Sequence, residues 1–179
     1  RLKHFVSRTA LDIDGLGDKQ IDEFWTYDLL RTPVDIFKLH EKADVAPEIW
    51  LYTSGSNKGQ LKDSVLKLFK AIEKAKQPDL DRFLFALGIR HIGETTARLL
   101  ARRYKTLKGF RDAILSMLNG DEQSRDELSS IDGIGSTMVD SLLTFFSEPH
   151  NLDIINGLID VGVQPVSLPE AENNTAISG

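Results

Sequence analysis

The chain has 179 residues, 41% of them hydrophobic and 27% charged, with a formal net charge of −5. That is enough apolar material for one ordinary globular core and excludes a disordered polymer. It has no cysteine, which excludes a disulfide framework and any thiolate zinc site and makes a reducing compartment the simpler expectation. In chain order, apolar residues recur at three- and four-residue steps through Ile21, Phe24 and Trp25; Val65, Leu68, Phe69 and Ile72; Ala97, Leu100 and Ala101; and Val139, Leu142 and Leu143. This periodicity predicts helices, and strand alternation is hardly visible. The segment NLDIINGLIDVGVQP predicts one more short helix, closed by Gly162 and stopped by Pro165. Beyond it, VSLPEAENNTAISG lacks apolar periodicity and reads as a linker or tail over 166–179. The expected fold is all-α, one compact helical domain over residues 1–165.

Apolar runs such as FLFALGI are too short to span a bilayer, and no charged-then-apolar leader opens the chain. The expectation is a cytoplasmic protein without a membrane partner. Because the sequence begins with Arg1 rather than methionine, it is read as a piece of something longer. The negative net charge argues mildly against nucleic acid, but its distribution does not. Residues 77–111 hold eight Lys/Arg against three acids, and residues 58–76 hold six lysines against two acids. From 112 onward there is one base, Arg125, against twelve acids. A basic face on an acidic protein is therefore allowed.

An internal repeat underlies the periodicity. Counting from Gly17, apolar residues stand four before (Ile13), one before (Leu16), and four, seven and eight after (Ile21, Phe24, Trp25). The same frame fits around Gly93 (Ile89, Ile92, Ala97, Leu100, Ala101) and around Gly135 (Ile131, Ile134, Val139, Leu142, Leu143). A further copy is expected in SGSNKGQLKDSVLKLFKAIEKAK, where spacing and phase disagree. Spacing nominates Gly59, but that choice would bury Asp63 and Lys67 at great cost, whereas Leu61 puts Val65, Leu68 and Phe69 inward. Leu61 is therefore expected in the glycine slot, in a degenerate unit with a loop inserted around YTSGSN.

Each unit reads as helix, tight Gly-apolar-Gly turn, helix. Glycine reaches backbone conformations closed to other residues and lets another backbone approach, while Leu16, Ile92 and Ile134 are placed to anchor the turn in the core. The free N–H groups at the start of the following helix, at its positive dipole end, then suit a phosphate without any side-chain charge. The candidate DNA-contacting residues are Gly15, Leu16, Gly17, Asp18 and Lys19; Arg90, His91, Ile92, Gly93, Glu94 and Thr95; and Gly133, Ile134, Gly135, Ser136 and Thr137. Lys19, Thr95, Ser136 and Thr137 sit just past the glycines, within reach of phosphate oxygens.

Other chemistry is not written here. DIDGLGDKQIDE shares acids at places one and three, glycine at six and glutamate at twelve with a calcium loop, but Leu16 at place five cannot ligate and Lys19 holds place eight. The four histidines are too scattered for a helical metal pair, and SGSNKGQL lacks the order of a phosphate loop. No catalytic residue and no metal ligand is assigned.

These stretches resemble the helix-hairpin-helix domain of bacterial NAD-dependent DNA ligases over nearly the whole chain. LKHFVSRTALDIDGLGDKQID resembles the segment after that family's zinc module. AIEKAKQPDLDRFLFALGIRHIGETTARLLARRY resembles its third hairpin, with FALGIRHIGETTA the most specific element, and LSSIDGIGSTMVDSLLTFF its fourth. The resemblance implies four tandem hairpins, the second degenerate, that grip the backbone of nicked double-stranded DNA. It implies partnership with the other domains of the parent ligase, a monomer, and a cytoplasmic, nucleoid-associated setting. His91 replaces a glycine of the family pattern, which implies an altered turn. NAD, magnesium and zinc are implied for the parent enzyme only: the adenylation lysine motif has no counterpart, EKADV lacking the Lys-x-Asp-Gly form. Two other readings stay open, a hairpin module of a repair nuclease and a protein-interaction scaffold.

Overall fold

The computed structural model describes residues 1–169. Among them the chain forms eleven α-helices: α1 Leu2–Val6, α2 Asp18–Thr26, α3 Pro33–Ile36, α4 Pro47–Trp50, α5 Asp63–Lys74, α6 Leu80–Ala86, α7 Glu94–Tyr104, α8 Leu107–Leu118, α9 Glu122–Ser129, α10 Ser136–Ser147 and α11 Pro149–Asp160, with a 3-10 turn at Leu39–Glu41. Extended pairing among these residues is limited to the isolated bridges Leu51 with Leu61 and Asp79 with Val166. The all-α expectation holds.

Local sequence explains where the helices begin and end. Thr32 and Asp35 form a reciprocal capping box that starts α3, with Pro33 at its first position. The Thr106 hydroxyl accepts from the Gly109 amide at 2.9 Å to start α8. The Asp121 carboxylate accepts from the Ser124 amide at 3.1 Å to start α9. At the other end of the chain, Gly162 at φ +102° lets its own amide reach Ile159 O and the Val163 amide reach Leu158 O, each at 3.0 Å. That double hydrogen bond closes α11 where the sequence placed the stop.

One continuous core joins the helices. Helix α6 lies along α7, α7 packs on α8, α8 on α10, and α10 on α9 and α11, while α11 returns to α3 and α1 touches both α2 and α6. Phe5, Trp50, Phe83, Leu100 and Phe110 are fully enclosed. Ile21, Phe24, Val65, Leu68, Ala97, Leu100, Val139 and Leu142 are all buried, whereas Asp63 and Lys67 are exposed. Helix phase, not spacing from Gly59, therefore sets the register of α5. Trp25 departs from the frame: it is 49% exposed, with the Arg31 guanidinium 4.2 Å above its ring. The equivalent places hold fully buried Ala101 and half-buried Leu143, so this exposure is particular to Trp25.

Backbone pairing continues past residue 165. The Val166 amide donates to Pro78 O and its carbonyl accepts from the Leu80 amide, each at 2.8 Å. The Ser167 hydroxyl donates to Lys105 O, and Leu168 packs against the core. A segment without helical periodicity is held here by backbone pairing, which leaves no trace in hydropathy. The remainder of the expected tail, 170–179, lies outside the described residues.

Two outcomes test this account. Leu100→Ala, at a fully buried site, should lower unfolding free energy by about 2–5 kcal/mol in urea melts. Hydrogen bonds from Ser124 and Ser116 hold the Asp121 carboxyl below its ordinary value. A carboxylate depressed in the folded state stabilises above its unfolded pKa of about 3.9 and loses that contribution as pH falls through the folded value. The Tm difference between wild type and Asp121→Ala should therefore be full near neutrality and close on acidification below about pH 4.

Candidate nucleic-acid interface

Three turns, each followed by one of the helices α2, α7 and α10, share one backbone geometry. In each, the amide of the central apolar residue donates back three residues: Leu16 to Ile13 O at 3.2 Å, Ile92 to Ile89 O at 3.1 Å and Ile134 to Ile131 O at 2.9 Å. The residue just before it is left-handed, Gly15 at φ +93°, His91 at φ +69° and Gly133 at φ +94°. Leu16, Ile92 and Ile134 are buried. With side chain and amide both engaged inside the protein, these three residues anchor the turns and offer a ligand neither group.

The second glycine of each turn, Gly17, Gly93 or Gly135, is the N-cap of the helix that follows, with extended backbone and no side chain closing the first turn. Helix geometry leaves the first N–H groups without intrahelical partners. All three glycines are exposed, as are Asp18, Lys19, Glu94, Thr95, Ser136 and Thr137. Each turn therefore presents open amides to solvent at the positive end of a helix dipole. Asp18 and Glu94 suit that dipole but place negative charge where an anion would come, so only their amides favour one.

The two glycine positions do different work. A Cβ on Gly133 would stand 3.0 Å from Leu99 Cδ1 on α7, and one on Gly15 would stand 3.2 Å from Leu68 Cδ1 on α5. With positive φ as well, these glycines serve folding. A Cβ on Gly93 or Gly135 would meet no atom within 4 Å, and neither has positive φ. Nothing inside the protein demands glycine there.

His91 keeps the turn hydrogen bond and a left-handed φ, so the alteration expected from it is confined to a smaller φ, +69° against +93° at Gly15 and +94° at Gly133. An L-residue enters the left-handed region near φ +57°, where His91 lies closer than Gly15 or Gly133. Its Nδ1 lies 2.9 Å from Ser141 Oγ on α10. The Thr96 hydroxyl, buried on α7, lies 3.6 Å from Met138 Sδ, and with the seat of Gly133 on Leu99 these contacts draw the Ile92 and Ile134 turns together. Arg90, His91 and Thr137 line one open groove between them, beside Arg1, Asp140 and Ser141. The Leu16 turn sits instead on α5. That Leu68, Leu99, Met138 and Ser141 sit against the turns had no local signal in the sequence, because each meets its turn across a long chain separation.

The degenerate unit is built differently. Lys62 rather than a glycine is the N-cap of α5, Leu61 pairs with Leu51, and the Asp63 amide donates to the Tyr52 hydroxyl at 3.2 Å. The inserted loop thus closes the helix start that the other three leave open. Asp12, Asp14, Asp18 and Asp22 do not converge; Asp22 pairs with Lys3 at 3.1 Å. Among the described residues no three His, Cys, Asp or Glu side chains are placed to hold a metal, and no helix is long and apolar enough to cross a membrane.

Residues 82–155, which carry the Ile92 and Ile134 turns, match the helix-hairpin-helix motif family. The whole chain is 42% identical over 179 residues to a DNA ligase of Parvibaculum lavamentivorans, covering 25% of that protein. It is 46% identical over 162 residues to a DNA ligase of Agrobacterium fabrum, with 88% of this chain and 22% of the relative aligned. A DNA ligase of Nitrobacter winogradskyi is 42% identical, with 100% of this chain and 25% of the relative aligned. The chain spans about a quarter of the length of these curated relatives. Matched through its turns and along its full length, the chain belongs to the DNA ligase family as a helix-hairpin-helix segment.

Proposed function

We propose that this segment holds duplex DNA by its phosphate backbone, on the minor-groove side and largely without regard to base sequence, and aligns a nick for sealing by other domains of an NAD-dependent ligase. The observation that carries this reading is the pair Gly93 and Gly135. The fold does not require glycine at either place, yet each leaves a helix start bare, with no side chain over its amides. A serine there would cap the helix better; a glycine admits an outside anion instead. Backbone amides carry no formal charge, so an acidic protein retains the ability to bind a polyanion. Gly17, Asp18 and Lys19 supply the same arrangement in the Leu16 turn, and Lys19, Thr95, Ser136 and Thr137 add side-chain donors.

NAD, magnesium and zinc belong, in this reading, to other parts of the parent enzyme. The residues present do not fit them, since there is no cysteine and no adenylation lysine motif. The segment acts as a monomer in the bacterial cytoplasm, at the nucleoid, with DNA and the remaining ligase domains as its partners.

Serine substitution separates binding from folding. Gly93→Ser and Gly135→Ser should leave stability unchanged or raise it by a few tenths of a kcal/mol. The same changes should weaken binding to a nicked duplex by about 1.5–3 kcal/mol, more than tenfold in Kd, because the hydroxyl takes the amides a phosphate would use. Gly133→Ala should do the reverse, costing about 1–3 kcal/mol of stability through backbone strain with a smaller loss of affinity per folded molecule. Fluorescence titration with parallel urea melts reads both quantities. Serine variants that stay folded and bind like wild type would reduce the turns to helix connections. Incubated with labelled NAD and magnesium, the chain should form no covalent adenylate on a denaturing gel; a labelled band near 20 kDa would overturn the assignment of chemistry to other domains.

A further inference from the structure

We infer that His91 is a positioning residue: its ring, fastened to Ser141, holds the Ile92 and Ile134 turns at one spacing, so that their open amides take two phosphates of a single duplex together; this rests on the DNA-holding reading above. His91 stands two residues before Gly93, the N-cap of α7, and Ser141 stands on α10 six residues after its N-cap Gly135. Their contact, Nδ1 to Oγ at 2.9 Å, joins the turn that opens α7 to the helix that follows the other turn. Arg90 and His91 of the Ile92 turn and Thr137 at the start of α10 line the same groove. Deeper in the protein, Thr96 against Met138 and Leu99 beneath Gly133 already join the two units. The His91 contact is added outside them, at the solvent surface.

Folding stability alone does not account for a histidine at this place. Gly15 and Gly133 fill the equivalent positions in the other turns, and an L-residue at positive φ costs backbone free energy that glycine avoids. His91 is exposed and Ser141 half-buried, so water competes for both groups and their hydrogen bond adds little to the folded state. What the contact does fix is geometry. Two sites held at a set spacing bind one polyanion more tightly than the same sites free to shift, because the second contact is made with little further loss of freedom. The Leu16 turn, seated on Leu68, has no part in this pair.

A merely structural residue would lose stability and affinity in step, whereas a positioning residue separates them. His91→Gly relieves the backbone and should leave urea melts unchanged or shift them to higher urea, yet raise the Kd for a nicked duplex about fivefold to tenfold. Ser141→Ala should weaken binding by a similar factor. The double variant should bind no worse than the weaker single one, because both changes break one contact. In a Gly135→Ser background, where one site of the pair is already closed, His91→Gly should add little. If His91→Gly and Ser141→Ala bind like wild type while Gly135→Ser is weakened, the contact positions nothing and the inference is overturned. It is overturned as well if only His91→Gly weakens binding, since the ring then touches DNA itself, or if affinity falls only in proportion to the folded fraction. If wild type fails to bind nicked duplex, or Gly135→Ser binds as tightly as wild type, the DNA-holding reading falls, and with it this one.

Discussion

A backbone N–H at the start of a helix must find an acceptor, and a glycine N-cap cannot supply one. At Gly17, Gly93 and Gly135 the protein leaves that requirement to its surroundings. The rest of each turn follows from keeping these amides exposed and fixed in direction. The buried Leu16, Ile92 or Ile134 holds the turn to the core, and its amide is tied back to the residue three before it. The left-handed residue between reverses the chain tightly enough for both to happen at once. What reaches solvent is a rigid set of donors mounted on a packed helix.

Such a site does not depend on net charge. The acidic residues gathered after residue 112 include Asp132 in the Ile134 turn itself, and Asp18 and Glu94 open two of the helices concerned. Side chains of that sign would repel a phosphate if they pointed at it. Oriented amides attract at short range, where the partial charge of the helix end is concentrated. Donors of this kind act at short range and fix the position of any anion they hold, without the screening that weakens side-chain charges over about 10 Å at 0.1 M salt.

His91 shows how two turns become one surface. A histidine at positive φ costs more than the glycine found at the equivalent places, and its ring returns a contact with Ser141 across fifty residues of sequence. Together with Leu99 beneath Gly133, that contact settles how the Ile92 and Ile134 turns lie relative to each other. The Leu16 turn uses Leu68 for the same purpose. Each open turn is thus seated on a helix from another part of the chain, which is why the repeat folds as a single body.

The positions of α2, α5, α7, α10 and α11, the three tight turns, the anchoring role of Leu16, Ile92 and Ile134, and the inward face of α5 were determined by sequence alone, whereas α3, α4, α8 and α9 were not. Each is a matter of residues within about ten places of one another, where periodicity, burial cost and glycine conformation act directly. Family membership was readable for the same reason, since FALGIRHIGETTA is a local string. Tertiary structure decided what depends on neighbours distant in the chain. It assigned Gly15 and Gly133 to folding and freed Gly93 and Gly135, because only packing shows that Leu99 crowds Gly133 while nothing crowds Gly135. It left Trp25 outside, bound Val166 to Pro78 and Leu80, and closed the start of α5 with Tyr52. Backbone pairing and steric contact between remote segments carry no signature in hydropathy or spacing, so those distinctions exist only once the chain has folded.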